Sequence, residues 1–233
     1  MSGKHLSTQF DTELSAISAR IMELGGLAET QIALAIEALA DLDIEKANEV
    51  QIMEKRANRM ELEIDHELTT VIALRQPTAR DLRLLIAISK ATTNLERVCD
   101  EATKIARMVK SIVSRKVPRT LPSSELKLAA DLAAEIIRRA LDAFARLDVE
   151  AAIEIMREDD LIDAEFDGFV RKLITYMMED PRTISASLDL LFVAKALERI
   201  GDHAKNIAEF VIYIVKGADV RHTALDQIES AIN

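Results

Sequence analysis

Apolar residues return every three or four positions along most of this 233-residue chain, the spacing of one face of an α-helix. Read this way, the sequence predicts helices over 7–40, 43–74, 79–115, 123–146, 149–178 and 183–216. At 1.5 Å per residue such segments span about 35–50 Å. Few signals interrupt them. Pro77, preceded by Arg75 and Gln76, breaks the pattern in the first half, and Pro181 does so in the second. Pro118 and Pro122 lie in KVPRTLPSS, the one stretch that reads as a linker. Gly25-Gly26 is expected to weaken or kink the first helix. Gly217 stands where a helix C-cap belongs, Thr78 and Asp81 have the spacing of a capping box after Pro77, and RHTALDQIESAIN at the end reads as a short tail helix.

The polar positions carry a second pattern. LERVCDEATKIA at 95–106 returns as LERIGDHAKNIA at 197–208, an offset of 102 (Glu96 to Glu198, Asp100 to Asp202). The same offset carries Glu61 onto Asp163 and Asp65 onto Asp167. LDIEKANEV at 42–50 is echoed by LDVEAAIEI at 147–155, an offset of 105, which implies a few residues gained or lost in between. The chain is therefore read as all-α: two tandem three-helix bundles related by an internal repeat. The first bundle covers 1–116, a linker 117–122, the second bundle 123–217 and a tail 218–233.

Composition narrows the class. Aromatic residues make up 3% of the chain, Trp is absent, and six Gly and four Pro leave few places for tight turns. A core of Leu, Ile, Ala, Val and Met suits helices on helices rather than sheets. A formal charge of −10 argues against nucleic acid as a partner, since phosphate backbones demand clustered Lys and Arg. One Cys excludes a disulfide framework. No apolar run approaches the roughly 18–20 residues of a membrane span, and MSGKHLSTQFDTEL has no signal-type apolar segment. A cytoplasmic protein is expected.

On a heptad wheel Leu95, Val98, Ala102, Ile105, Val109 and Ile112 form the buried seam of the third helix. Leu197, Ile200, Ala204, Ile207, Val211 and Ile214 do the same in the sixth. Glu96 and Asp100, and likewise Glu198 and Asp202, then lie one turn apart on the outward face. Forty acidic residues make some pairs at this spacing inevitable, and a charged outward face is ordinarily only a solvated one. The repetition singles these pairs out, because ELEID at 61–65 and DAEFD at 163–167 supply a second acidic pair on the preceding helix of each bundle. Four carboxylates per bundle make a hard-oxygen donor set for Mg, Mn or Fe, with Zn admissible. Other chemistries fit less well. Glu63-x-x-His66 has the spacing of a di-iron ligand pair, but its counterpart Glu165-x-x-Gly168 lacks the His. His203 is read as a solvated histidine and Cys99, matched by Gly201, as a small buried thiol. There is no phosphate-cradling glycine loop, nucleophile elbow or Rossmann fingerprint. No catalytic residue is expected.

ALRQPTARDLR at 73–83, ISKATTNLERVCDEATKIA at 88–106 and LLFVAKALERIGDHAKNIAEFVIYIVKG at 190–217 resemble the PhoU family of phosphate-uptake regulators. The resemblance runs from the first helix to Gly217. It implies two three-helix bundles with pseudo-twofold symmetry and metal ions or clusters on Glu/Asp-x-x-x-Asp motifs. In this chain those motifs fall on Glu61 and Asp65, Glu96 and Asp100, Asp163 and Asp167, Glu198 and Asp202. It further implies a negative regulator of the phosphate-starvation response, linking the phosphate ABC transporter's ATPase to a membrane sensor histidine kinase, with a homodimer expected. The departure is local: EDPRTISASLDL stands where the first half has RQPTARDLR, so a role for Arg80, Asp81 or Arg83 belongs to one bundle. The competing expectations are a carboxylate-bridged metal-storage protein or metalloenzyme, and a purely structural scaffold.

Overall fold

The computed structural model describes residues 8–115, 126–221, 223 and 226–228. It contains α1 (Thr8–Asp41), α2 (Ile44–Arg75), α3 (Ala79–Ser114), α4 (Leu126–Arg146), α5 (Val149–Glu179) and α6 (Ile184–Lys216), with a 3-10 turn at Pro181–Thr183. No strand occurs among the described residues. Helices α1–α3 pack as one unit and α4–α6 as a second. The linker 117–122 and the expected start of the fourth helix at 123 lie outside the described residues. Of the expected tail helix, Arg221 and Thr223 are described and not helical, and 226–228 are helical.

Each turn has a physical cause in the sequence. Leu42 and Leu147 both adopt left-handed backbone, with φ of 52° and 54°. The next amide reaches back across the helix end in each case, Asp43 to the Ala38 carbonyl and Asp148 to the Ala143 carbonyl, both at 3.0 Å. This closure satisfies otherwise orphaned carbonyls. Each Asp then caps the following helix, Asp43 accepting from the Glu45 and Lys46 amides and Asp148 from the Ala151 amide. The LDIE/LDVE echo is thus a helix junction written twice. Gly217 ends α6 at φ 76°, its amide donating to the Tyr213 carbonyl.

One local expectation is corrected. Thr78 makes no side-chain capping bond; the turn is closed by backbone, the Asp81 amide donating to the Thr78 carbonyl at 3.1 Å. Helix α1 runs unbroken through Gly25-Gly26. A Cβ at Gly25 would lie 2.6 Å from Leu141 Cδ1, so this glycine admits the close approach of α4.

The twelve predicted seam residues of α3 and α6 are all buried. Both helices are buried on further positions, Ala91, Cys99 and Ala106 on α3 and Ala194, Gly201 and Ala208 on α6. One hydrophobic core consequently runs through both units, which the picture of two tandem bundles had not included. The α3–α6 contact is antiparallel and edged with polar bonds. Arg83 donates to the Ile214 carbonyl, Asn94 meets His203 and Asn206, and Arg199 reaches Glu101. At the far end, Ser111 and Arg115 donate to Asp189.

Candidate functional site

In the first unit α2 and α3 bring the predicted pairs together. Glu61, Asp65, Glu96 and Asp100 are all half-buried. Hydroxyls from α3 tie the strip down: Thr93 Oγ1 donates to Glu61 Oε1 at 3.3 Å and Ser89 Oγ to Asp65 Oδ1 at 3.2 Å. Burial raises the Glu61 carboxyl above its ordinary range; Thr93 opposes the shift, and the charges of Asp65 and Asp100 add to it. Glu96 is raised by burial, then by Asp100 and Glu61, with Arg97 the opposing cation. These carboxylates repel one another, and burial leaves them short of water. A hard cation would relieve both penalties. In donor type and charge the first strip fits such an ion. Among the described residues no three His, Cys, Asp or Glu side chains converge as a closed ligand set, so ligation would draw the flexible carboxylates inward.

The second unit is built differently. Buried Ala47, Val50, Ile64 and Leu68 of α2 correspond to buried Ala152, Ile155, Phe169 and Leu173 of α5, an offset of 105 throughout. Helix α5 therefore keeps the register of its cap, and the change to 102 is absorbed at the turns around Pro77 and Pro181. A three-residue slip moves a side chain by almost a full turn, about 4.5 Å along the axis and 60° around it. Positions equivalent to Glu61 and Asp65 are thus taken by Phe166 and Val170, while Asp163 and Asp167 lie exposed one turn earlier. On α6, where Thr93 has its counterpart, stands Lys195. Its ammonium lies 2.5 Å from both oxygens of Glu198 and 5.3 Å from the centre of the Phe166 ring. Asp202 is exposed. Lys195 and Phe166 escaped the sequence reading because the repeat was extended from α3 and α6 at a single offset. The cap echo at 105 was the signal that would have found them.

The remaining candidates are structural. Glu63 pairs with Arg20 of α1 and His66 is exposed on the same side, so this Glu-x-x-His forms no buried di-metal pair. Cys99 is buried, and burial pushes its thiol well above the ordinary range, which agrees with the inert reading. His203 is not the solvated residue expected. Its Nδ1 lies 3.0 Å from Asn94 Oδ1 in the α3–α6 contact. Burial, with Arg199, Arg97 and Lys104 nearby, lowers its pKa to about 4.

Both halves match one family model, the PhoU domain, over residues 21–109 and again over 126–211. This chain belongs to the PhoU family. A Burkholderia PhoU homolog, described as a phosphate-specific transport system accessory protein, is 49% identical over 98% of this chain and 97% of its own length. The Escherichia coli K12 PhoU of the same description is 43% identical over 98% of this chain and 94% of its own. Among solved structures, the crystal structure of Pseudomonas aeruginosa PhoU superposes with a TM-score of 0.86 at 42% identity, covering 90% of this chain and 100% of that one. The Streptococcus pneumoniae PhoU, titled a phosphate transport system regulatory protein, gives 0.82 at 27% identity over 90% and 98%. The two PhoU matches coincide with the two three-helix units.

Proposed function

We propose that this chain is a non-catalytic accessory regulator of phosphate uptake that holds the phosphate-starvation response off when phosphate is plentiful. One observation carries the reading: both units match the PhoU domain, and relatives alike over nearly their whole length bear the transport-accessory name. In this reading the protein is cytoplasmic, homodimeric, and reaches the membrane only through its partners. Among the described residues no helix is long and apolar enough to cross a bilayer. The partners are the transporter's ATPase and a sensor histidine kinase, engaged through polar outer helix faces. Deleting the gene should leave phosphate-starvation genes expressed in phosphate-rich medium, and the tagged protein should recover the ATPase or the kinase from extract. Normal repression in the deletion strain, with neither partner recovered, would refute it.

The metal belongs to the same proposal, as Mg, Mn, Fe or Zn held by Glu61, Asp65, Glu96 and Asp100. Its support is the all-oxygen donor set and the upward shifts of Glu61 and Glu96. Bound there, a cation would neutralise the strip and stabilise the native state by preferential binding. Thr93 and Ser89 orient the α2 carboxylates, and Arg97 limits the net charge. Divalent metal should raise the melting temperature, and Asp65→Asn with Asp100→Asn should abolish that rise.

A further inference from the structure

The two acidic strips are not copies. Where α3 presents Thr93 to Glu61, α6 presents Lys195 to Glu198, and where α2 places Glu61, the register of α5 places Phe166. In the second strip Lys195 donates to Glu198 Oε1 and lies in ion-pair range of its Oε2, which accepts no hydrogen bond. The Phe166 face lies beneath the same ammonium, and Asp202 stands exposed one turn on. A lysine held by a carboxylate and a ring is fixed by two attractions at once. We infer that Lys195 is the second strip's own cation: a built-in counter-ion that excludes divalent metal there and directs it to the first strip. The inference rests on the metal reading given above and concerns how unequal the two halves are.

The physical argument is one of substitution. A metal approaching Glu198 must displace an ammonium already 2.5 Å from its oxygens, or bind beside a like charge. It must also do so without the second helix's carboxylates, because Phe166 and Val170 supply none and Asp163 and Asp167 stand a turn away. In the first strip nothing comparable stands in the way: Arg97 is the nearby cation acting on Glu61 and Glu96, and the groups against the α2 carboxylates are the hydroxyls of Thr93 and Ser89.

The test is Mn2+ titration of chelator-stripped protein, followed by the electron paramagnetic resonance of free Mn2+, so that no downstream activity is needed. Wild type should show one tight class of site, lost in Glu61→Gln/Glu96→Gln. Lys195→Thr should strengthen a second class about tenfold or more, while Lys195→Arg should behave as wild type. Lys195→Thr/Phe166→Glu, which copies the Thr93 and Glu61 positions, should bring the second class close to the first. Lys195→Thr alone leaves Phe166 in place and keeps the result readable if the double variant folds poorly. Two equal classes in wild type, or a Lys195→Thr isotherm that matches wild type, would overturn the role of Lys195 while leaving the metal reading standing. Absence of any Mn2+ binding by wild type would instead remove the metal reading, and this inference with it.

Discussion

The two halves share a helix order and a core but not a surface. In the first, charge is concentrated: four half-buried carboxylates on α2 and α3 meet the hydroxyls of Thr93 and Ser89, and burial pushes Glu61 and Glu96 toward the protonated form. In the second, Glu198 is paired with Lys195 and the corresponding surface is made partly aromatic by Phe166. Duplicated helices are thus held alike where they touch the core, since buried apolar positions tolerate little change of volume. They are free to diverge where they face water. A repeat in sequence is reliable evidence of a shared fold and weaker evidence of a shared site.

The largest test of this comparison concerns the core. Leu95→Ala on α3 and Leu197→Ala on α6, both at buried positions, should each cost about 2–5 kcal/mol. Because the core is continuous, either change should shift one common calorimetric transition. Two separate transitions would show halves that fold independently. Next in size is Glu101, whose side chain is 5% exposed and paired with Arg199 and Lys104. Glu101→Ala should cost about 2 kcal/mol, since both cations are about half exposed and return to water.

The position equivalent to Glu101 in the second half is His203, which gives a pH test. Its pKa is about 4 in the folded protein against 6.5 for the free side chain. As pH falls below 6.5 the unfolded state takes up the proton first, so stability is lost between pH 6.5 and about 4. Asn94, Arg199, Arg97 and Lys104 face the ring, and none of them can neutralise an imidazolium. Urea midpoints should therefore fall over that window in wild type, and less steeply in His203→Gln. The smallest effects distinguish the strips by sign. Raised folded-state pKa values mean that Glu61 and Glu96 favour folding at low pH and lose that contribution as pH rises through them. In metal-free protein at neutral pH, Glu61→Gln should stabilise by a few tenths of a kcal/mol. Glu198→Gln should destabilise by a similar amount, because it breaks the Lys195 pair. Like signs for the two changes would mean the strips are equivalent after all.

Most of the fold was legible because long amphipathic helices announce themselves through spacing alone. The seam residues from Leu95 to Ile112 and from Leu197 to Ile214 are buried as the wheel requires. The continuous core was not legible, because Ala106, Gly201 and Ala208 are small and neutral enough to belong to either a surface or a close helix contact. The first strip was readable from Glu61, Asp65, Glu96 and Asp100, whose helices keep the register of their own repeat. The inequality of the second was hidden by register: a three-residue shift leaves the letters of DAEFD looking equivalent to ELEID while Phe166 and Val170 take the positions of Glu61 and Asp65. His203 was misjudged because its partner Asn94 is 109 residues away in sequence.

The antiparallel α3–α6 seam has one more consequence. Arg199 of α6 reaches Glu101 of α3, and at the mirrored place Arg97 of α3 acts on His203 of α6. That reciprocity, in which each element offers the other what it receives, is the mark of an isologous interface between identical subunits. The seam therefore has the form of a homodimer interface carried within one chain. Because the two faces belong to one chain they need not be identical, and Lys195, Phe166 and His203 stand where the first half has Thr93, Glu61 and Glu101, differences that a strictly symmetric pair could not hold.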